Sequence, residues 1–197
     1  MKVAVVKYNA GNIRSVDYAL KRLGVEAVIT ADKEELQSAD KVIFPEWRGG
    51  NYHEPLESYG TGRTDKESPS TCIGNLSRYA VDVPVFRRRR SRLFEYLRCG
   101  RKRFVPQEHE DKVPHMGWNT IGQTNSKLFE GFTEEEFVYF VHSFYVPTCD
   151  FTAATTDYIH PFSAALHKDN FYATQFHPEK SGKTGEKILT NFLNLCR

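Results

Sequence analysis

The first third of the chain alternates short apolar stretches with amphipathic ones. Apolar residues recur at helical spacing in two segments, and compact apolar runs separate them. The pattern predicts strands at residues 2–7, 26–30 and 41–44 and helices at residues 15–23 and 32–39. Strands that alternate with short helices are typical of an α/β fold, so we expect a doubly wound, mostly parallel sheet with helices on both faces.

The last part of the chain, from Phe104 onward, is equally regular. It predicts strands at residues 137–146, 152–156, 162–167 and 171–176 and a final helix at residues 184–195. Together with the opening elements this predicts a single domain over residues 1–197.

Residues 46–102 break this pattern, because no apolar periodicity persists there. Residues 86–103 hold nine basic residues and one acid, a local charge of +8 in a chain whose net charge is +2. The rest of the chain therefore carries 2 − 8 = −6. A disordered loop and an arginine-rich arm for nucleic acid both fit the composition, yet so long an irregular stretch is unusual inside a compact α/β domain.

Composition narrows the class of protein further. The 197 residues are 40% apolar and 26% charged, with no apolar run of membrane-spanning length. The opening apolar run is too short for a secretory signal, so we expect a cytoplasmic protein. The four cysteines lie far apart, with no Cys-x-x-Cys pair for zinc and too few for a disulfide framework in a chain of this length, so we expect reduced thiols. They are Cys72, Cys99, Cys149 and Cys196.

A candidate for catalytic chemistry follows the last predicted strand. His177 and Glu179 stand two residues apart just past its carboxyl end, where open α/β sheets place their active sites. A histidine beside a carboxylate suits general acid–base work. The pair alone is also compatible with an ordinary surface turn.

Four blocks of sequence together carry a family resemblance. They are Gly11-Asn-Ile-Arg-Ser15, Lys112-Val-Pro-His-Met-Gly-Trp-Asn119, Tyr139-Phe-Val-His-Ser-Phe-Tyr145 and Gln175-Phe-His-Pro-Glu-Lys-Ser-Gly182. In this order they resemble the glutaminase subunits of imidazole glycerol phosphate synthase, which are class I glutamine amidotransferases. The resemblance covers residues 1–45 and 103–197.

The resemblance implies glutamine hydrolysis by a Cys-His-Glu triad, without a cofactor or a metal. His177 matches the general base and Glu179 the carboxylate that orients it. The ammonia would pass to a (β/α)8-barrel cyclase partner in histidine biosynthesis, and neither nucleic acid nor membrane would be involved.

Further positions match the family's binding surfaces. The segment that lines the glutamine pocket corresponds to His142, Ser143 and Phe144. Strand alternation alone would bury half of this segment as simple core. The positions that face the cyclase correspond to Asn12, Arg14, Met116, Trp118 and Lys180. Met116 and Trp118 could equally be core residues.

Two family features are missing from the printed chain. Pro45 is followed by Glu-Trp-Arg-Gly instead of the Gly-Val-Gly turn that helps form the oxyanion hole. The expected nucleophile elbow reads Gly74-Asn-Leu-Ser-Arg-Tyr-Ala80, without a cysteine. Cys72 has small neighbours two residues away on each side, but a polar Lys-Glu-Ser-Pro stretch precedes it where the elbow needs a buried apolar strand.

The genetic code offers another account of residues 46–102. With suitable codons, residues 73–84 read one base later give Leu-Gly-Ile-Cys-Leu-Gly-Met-Gln-Leu-Met-Cys, the missing elbow. The same shift gives residues 66–73 an apolar sequence and turns the arginine run at 86–92 into an acidic stretch. We therefore hypothesise that residues 46–102 are a frameshifted form of an ordinary glutaminase segment.

Two alternatives from other classes of protein stay open at this point. A catalytically inactive subunit could still dock on the cyclase through the Pro-His-Met-Gly-Trp-Asn block. A nucleic-acid binder could use the arginine run, although that run lacks regularly interleaved aromatic residues and the rest of the chain is acidic.

Overall fold

The computed structural model describes residues 1–7, 12–45, 71–75, 99–132 and 136–195, with the backbone alone for residues 71–75. The strands are β1 Val3–Val6, β2 Ala27–Thr30, β3 Lys41–Phe44, β4 Thr71–Asn75, β5 Lys102–Arg103, β6 His115–Ile121, β7 Glu136–His142, β8 Phe144–Tyr145, β9 Thr152–Tyr158, β10 His160–Lys168 and β11 Phe171–Thr174. The helices are α1 Ile13–Arg22, α2 Lys33–Gln37 and α3 Gly182–Asn194, with short 3-10 turns at Lys127–Phe129 and Pro178–Lys180.

A seven-stranded sheet joins both ends of the chain in the order β2-β1-β3-β4-β11-β10-β9. The first five strands of that order run parallel, whereas β10 and β9 are antiparallel to their neighbours. The predicted mostly parallel sheet is confirmed. The carboxyl ends of β1, β3, β4 and β11 share one edge of the sheet, which is where such sheets bind their ligands.

Helices pack on both faces of this sheet, as predicted. Val3 and Val5 of β1 belong to the main core together with Leu20 of α1. Because side chains alternate along a strand, Val6 points to the opposite face, where it packs in a second cluster with Leu36 of α2.

The helices form where local sequence favours them. In α2 the Asp32 carboxylate caps the first turn by accepting the Glu35 amide N–H at 2.9 Å. In α3 an apolar stripe that includes Ile188, Phe192 and Leu193 is buried in the main core. This helix begins two residues before the predicted start and follows directly on the candidate catalytic turn.

The predicted strand at residues 137–146 is two strands in the structure. β7 pairs antiparallel with β6, an element that the apolar pattern did not predict. β8 pairs instead with β5, and the Ser143 carbonyl between β7 and β8 accepts the Phe104 amide N–H at 3.0 Å. The change of partner at Ser143 divides the strand because its two halves hydrogen-bond to different segments.

The expectation that all the cysteines are reduced is wrong for two of them. Cys99 and Cys149 form a disulfide with their Cα atoms 6.3 Å apart. The β5–β8 pairing, in which Lys102 lies opposite Tyr145, draws these two stretches of chain together. The sequence spacing of 50 residues could not reveal a contact that long-range strand pairing creates. Cys196 and the side chain of Cys72 lie outside the described residues.

Several predictions fall on residues that are not described. The arginine run and the expected elbow at 74–80 lie outside the described residues, except for the backbone of Gly74 and Asn75. Within the described ranges, no helix is long and apolar enough to cross a membrane.

Candidate active site

His177 lies three residues beyond the end of β11, at the carboxyl edge of the sheet. Gln175 and Phe176, which connect it to the strand, are buried, and His177 itself has no exposed surface. Its φ and ψ are extended, and Pro178 then begins the 3-10 turn. The imidazole therefore follows a buried segment that continues β11, and the chain turns sharply after it.

The imidazole of His177 is hydrogen-bonded to Glu179. His177 Nδ1 lies 3.0 Å from Glu179 Oε1, and the Glu179 side chain is only 7% exposed. Burial alone would raise the pKa of this carboxyl, but the hydrogen bond and charge attraction from His177 outweigh it, so the pKa of Glu179 lies below its usual value. A carboxylate can only accept, so His177 Nδ1 carries the proton and Nε2 is left as the basic nitrogen.

A second donor from the far end of the chain binds the same carboxylate. Asn12 Nδ2 donates to Glu179 Oε1 at 3.2 Å, although the two residues are 167 positions apart. The Ser15 hydroxyl donates to Asn12 Oδ1 and so fixes which way the amide faces. Sequence analysis predicted that Asn12 faces a partner, whereas in the structure its half-buried amide also supports the His–Glu pair.

Ser181 is a site residue that sequence analysis missed. Its hydroxyl donates to the His177 carbonyl at 2.6 Å and accepts the Tyr139 amide N–H at 3.0 Å. Tyr139 in turn accepts the His177 amide N–H at 2.9 Å through its own carbonyl. Ser181 is 1% exposed, so these bonds hold the candidate catalytic turn against β7. A small polar residue four positions after a candidate histidine was the only signal in the sequence.

Two glycines let α3 start directly behind this turn. Gly182 has φ +57°, a left-handed conformation that side chains rarely adopt. At Gly185 an added Cβ would lie 1.9 Å from the Pro178 carbonyl oxygen. The first turn of α3 therefore approaches the 3-10 turn more closely than any side chain would permit.

The segment expected to line a glutamine pocket divides into two parts. His142 lies on the core face of β7, 4% exposed, and its Nδ1 is 2.8 Å from the Phe144 carbonyl oxygen. Burial lowers the pKa of His142 to about 3. Ser143 and Phe144 are partly exposed, and the Arg101 guanidinium lies 4.6 Å from the centre of the Phe144 ring. The structure thus leaves Ser143 and Phe144 accessible and turns His142 inward.

The positions expected to face a partner lie mostly at the surface. Met116 is 65% exposed and Trp118 is 55% exposed, so neither is a core residue. Across the β6–β7 ladder, Trp118 pairs with Tyr139 and their rings meet edge to face at 5.8 Å. Arg14 is exposed on α1, and Lys180 is half-buried in the 3-10 turn.

The backbone of β4 shows how far Cys72 lies from the carboxyl edge of the sheet. Cys72 pairs with Phe171, the first residue of β11, whereas Asn75 at the end of β4 pairs with Thr174. With about 3.3 Å per residue, Cys72 lies about 10 Å below the end of β4 along the strand. Among the described residues, no group of three His, Cys, Asp or Glu side chains could hold a metal ion.

Comparisons with known proteins agree with this geometry. Residues 93–196 match the model of the family "Glutamine amidotransferase class-I". "Imidazole glycerol phosphate synthase subunit HisH" of Bacteroides thetaiotaomicron is 69% identical over 202 residues, covering 99% of this chain and 100% of that protein. The protein named "Imidazole glycerol phosphate synthase subunit HisH 1" of Methanococcus maripaludis is 36% identical, covering 98% and 99% respectively.

Solved structures show a similar fold at low identity. A putative GMP synthase subunit from Thermoplasma acidophilum aligns with a TM-score of 0.67 at 20% identity, covering 98% of this chain and 92% of that one. A glutaminase domain of Trypanosoma brucei CTPS aligns with a TM-score of 0.63 at 14% identity, covering 100% and 95%.

Proposed function

The chain belongs to the class-I glutamine amidotransferase family and, within it, to the HisH subunits of imidazole glycerol phosphate synthase, and we propose that His177 and Glu179 are its catalytic base and orienting carboxylate. Its function is to hydrolyse glutamine to glutamate and to deliver the ammonia to the cyclase subunit for histidine biosynthesis. The observation that carries the residue assignment is the buried His177–Glu179 pair at the carboxyl edge of the sheet.

The geometry supports a defined proton path. His177 Nε2 takes the proton of a cysteine thiol, and the thiolate attacks the carboxamide carbon of glutamine. The imidazolium returns that proton to the nitrogen as the C–N bond breaks, which releases ammonia and leaves a glutamyl thioester. Water then hydrolyses the thioester, with His177 as base, and restores the thiol. Glu179, held by Asn12, stabilises the imidazolium in both steps.

The nucleophile of this reaction is the part that the printed chain lacks. Cys72 sits about 10 Å below the carboxyl end of β4 by the register with β11, which argues against it. In the shifted frame, the cysteine codon comes directly after that of Asn75, the last residue of β4. Asn75 pairs with Thr174, three residues before His177. The register therefore supports the frameshift hypothesis over Cys72.

The alternative of a catalytically inactive docking subunit is not favoured, because the full-length relatives are named as HisH subunits of a synthase.

Glutaminase assays in the presence of a HisF-type cyclase test the nucleophile. Three chains are compared: the printed chain, its Cys72→Ala variant, and a chain in which residues 46–102 carry the shifted-frame sequence. We expect turnover by the shifted-frame chain and none by the other two. Turnover by the printed chain that Cys72→Ala abolishes would refute the frameshift hypothesis and assign Cys72 as the nucleophile.

The exposed face of β6 and β7 supports a docking role toward the cyclase. Met116, Trp118 and Phe137 are each more than half exposed, and strand alternation sets all three on the same side of the hairpin. Large exposed apolar residues clustered in this way are typical of interaction sites. Asn12, Arg14 and Lys180, the other positions that the family resemblance assigns to the cyclase side, complete the proposed docking surface.

Affinity measurements with the cyclase test this surface. Trp118→Ala should weaken binding by about 2 kcal/mol, because central aromatic side chains dominate interface energies. Val105→Ala is the control, since Val105 is an apolar residue that is likewise exposed, at 65%, but lies outside the proposed surface. Equal affinities for the two variants would contradict the assignment.

Ser143 and Phe144 are proposed to contact glutamine, because both stay accessible just past the end of β7, the strand whose Tyr139 backbone is hydrogen-bonded to His177 and Ser181. For His142 the structure supports an indirect role, since its ring is turned into the core. A cytoplasmic location remains a prediction of the sequence.

A further inference from the structure

Two buried histidines, His115 and His142, form a series of polar contacts between the proposed docking surface and the segment proposed to bind glutamine. His142 Nδ1 is 2.8 Å from the Phe144 carbonyl oxygen, and His142 Nε2 is 3.1 Å from His115 Nδ1. His115 Nε2 is 3.5 Å from Asn119 Nδ2. Both rings are 4% exposed. Four polar groups thus form one continuous chain through the core, from β6 to β8.

The Phe144 end of this chain fixes the direction of its hydrogen bonds. A carbonyl can only accept, so this hydrogen bond forms only in the tautomer of His142 that carries its proton on Nδ1. In a neutral imidazole the other nitrogen is then an acceptor, so His142 Nε2 receives the N–H of His115 Nδ1. The same argument leaves His115 Nε2 as an acceptor.

The Asn119 end fixes the same direction independently. Asn119 Oδ1 accepts the Thr120 amide N–H at 2.8 Å, which identifies the oxygen and the nitrogen of the amide. Asn119 Nδ2 donates one hydrogen to the Asp157 carbonyl at 2.9 Å, and its second hydrogen faces His115 Nε2. Two unrelated anchors therefore require a single arrangement of protons.

The surroundings keep both rings neutral. The Tyr158 ring stacks on His115 at 3.9 Å, and Phe104, Phe140 and Phe162 surround His142. Burial lowers the pKa of His115 to about 4 and that of His142 to about 3. A proton added to either ring would set two N–H donors against each other, which the hydrogen-bond chain cannot accommodate.

We propose that His115 is a positioning residue for glutamine binding: its Nδ1–H selects the tautomer of His142, whose own Nδ1–H holds the Phe144 carbonyl in place. The proposal rests on the proposed function, because it takes Ser143 and Phe144 as the glutamine-binding segment. His115 belongs to β6, which carries Met116 and Trp118 on its exposed face. The hydrogen bonds from Asn119 to Phe144 therefore connect β6, which is proposed to face the cyclase, with β8, which is proposed to face glutamine.

The direct test is the tautomer of His142 in the full chain, read from the ¹⁵N chemical shifts of its ring at pH 7. We expect a protonated Nδ1 and an unprotonated Nε2. In His115→Leu the donor to Nε2 is lost, and we expect the His142 signals to move toward a mixture of tautomers. A wild-type His142 protonated at Nε2, or at both nitrogens, would overturn the proposal.

Binding of L-glutamine to the complex with the cyclase provides the functional readout. His115→Leu should raise Kd by about tenfold, which corresponds to about 1.4 kcal/mol. His115→Asn should restore Kd to within about threefold of wild type, because its amide nitrogen is attached at Cγ, as Nδ1 is, and can donate to His142. Equal Kd values for wild type and His115→Leu would overturn the positioning role.

Controls separate this inference from the proposed function and from general destabilisation. His167→Asn removes a ring that contacts Ser126 and Asp169, and it should leave the Kd for glutamine unchanged. If His115→Leu does not fold, His115→Asn and the wild-type tautomer still decide the question. A complex of the cyclase with the shifted-frame chain that neither binds nor hydrolyses glutamine would contradict the proposed function, while the ¹⁵N spectrum would still support or overturn the hydrogen-bond chain from Phe144 to Asn119.

Discussion

Gly185→Ala is the substitution whose effect the structure determines most closely. An alanine Cβ at this position would lie 1.9 Å from the Pro178 carbonyl oxygen, whereas ordinary contact begins at 3.4 Å. The difference, 3.4 − 1.9 = 1.5 Å, must be taken up by movement of α3 or of the 3-10 turn. The atom that is struck belongs to the backbone, so no side-chain rotation can relieve the clash.

Two opposing energies decide the outcome. Alanine is a better helix former than glycine by about 1 kcal/mol, so a helical site with free space would be stabilised by the substitution. Overpacking in a rigid core costs about 1–3 kcal/mol and more where backbone must shift. With a backbone clash of this depth we take the upper end, about 3 kcal/mol or more. The net expectation is a loss of about 2 kcal/mol or more in the free energy of unfolding.

Urea unfolding of the full chain, followed by circular dichroism, measures this loss. Gly122→Ala is the matched control, because a Cβ there meets no atom within 4 Å and should change stability by less than about 0.5 kcal/mol. The clash also moves the turn that carries His177, so in the shifted-frame chain glutaminase activity should fall with Gly185→Ala and not with Gly122→Ala. An unchanged or increased stability of Gly185→Ala would refute the close packing of α3 against this turn.

Three further predictions concern the same region. Ser181→Ala should lower the free energy of unfolding by about 1–3 kcal/mol, because the Tyr139 amide N–H loses its acceptor, the hydroxyl of the buried Ser181; an unchanged urea midpoint would contradict this. The pKa of Glu179 is lowered in the folded state, so the stability advantage of wild type over Glu179→Gln should be complete above about pH 4.5 and shrink as the pH falls below it; an advantage that grows on acidification would refute this sign. The pKa of His142 is lowered to about 3, so the free energy of unfolding of wild type should fall by up to about 1.4 kcal/mol for each pH unit as the pH drops from 6.5 to 3. In His142→Asn this contribution to the pH dependence should be absent, as unfolding measured at several pH values will show.

The sequence predicted those parts of the fold that local patterns determine. Val3 to Val6 and the stripe of α1 show their periodicity within a few residues, and both elements formed as expected. β6 was missed because polar and apolar residues mix along it, and it forms through pairing with β7. The division of residues 137–146 was missed for the same reason, since only the pairing of β8 with β5 reveals it.

The candidate site shows a similar limit of sequence analysis. His177 and Glu179 were recognised because they are neighbours in a motif. The Asn12 amide that binds Glu179 stands 167 residues away, so its contact depends on the completed sheet. Ser181 and His115 hydrogen-bond to backbone, ring or amide atoms, and such contacts have no signature in composition or periodicity.

The Cys99–Cys149 disulfide requires a cysteine at position 99, whereas the frameshift hypothesis removes it. Cys99 lies inside residues 46–102, so a chain with the shifted-frame sequence lacks this cysteine and leaves Cys149 without its partner. Peptide mass mapping of the purified protein without reduction therefore tests both at once. A cross-linked peptide that joins residues 99 and 149 means that the printed sequence is expressed, and the nucleophile must then be sought at Cys72. Peptides with the Gly-Ile-Cys-Leu-Gly-Met sequence and a free Cys149 thiol mean that the chain is an ordinary glutaminase, because the cysteine then follows the end of β4 beside the strand that leads to His177.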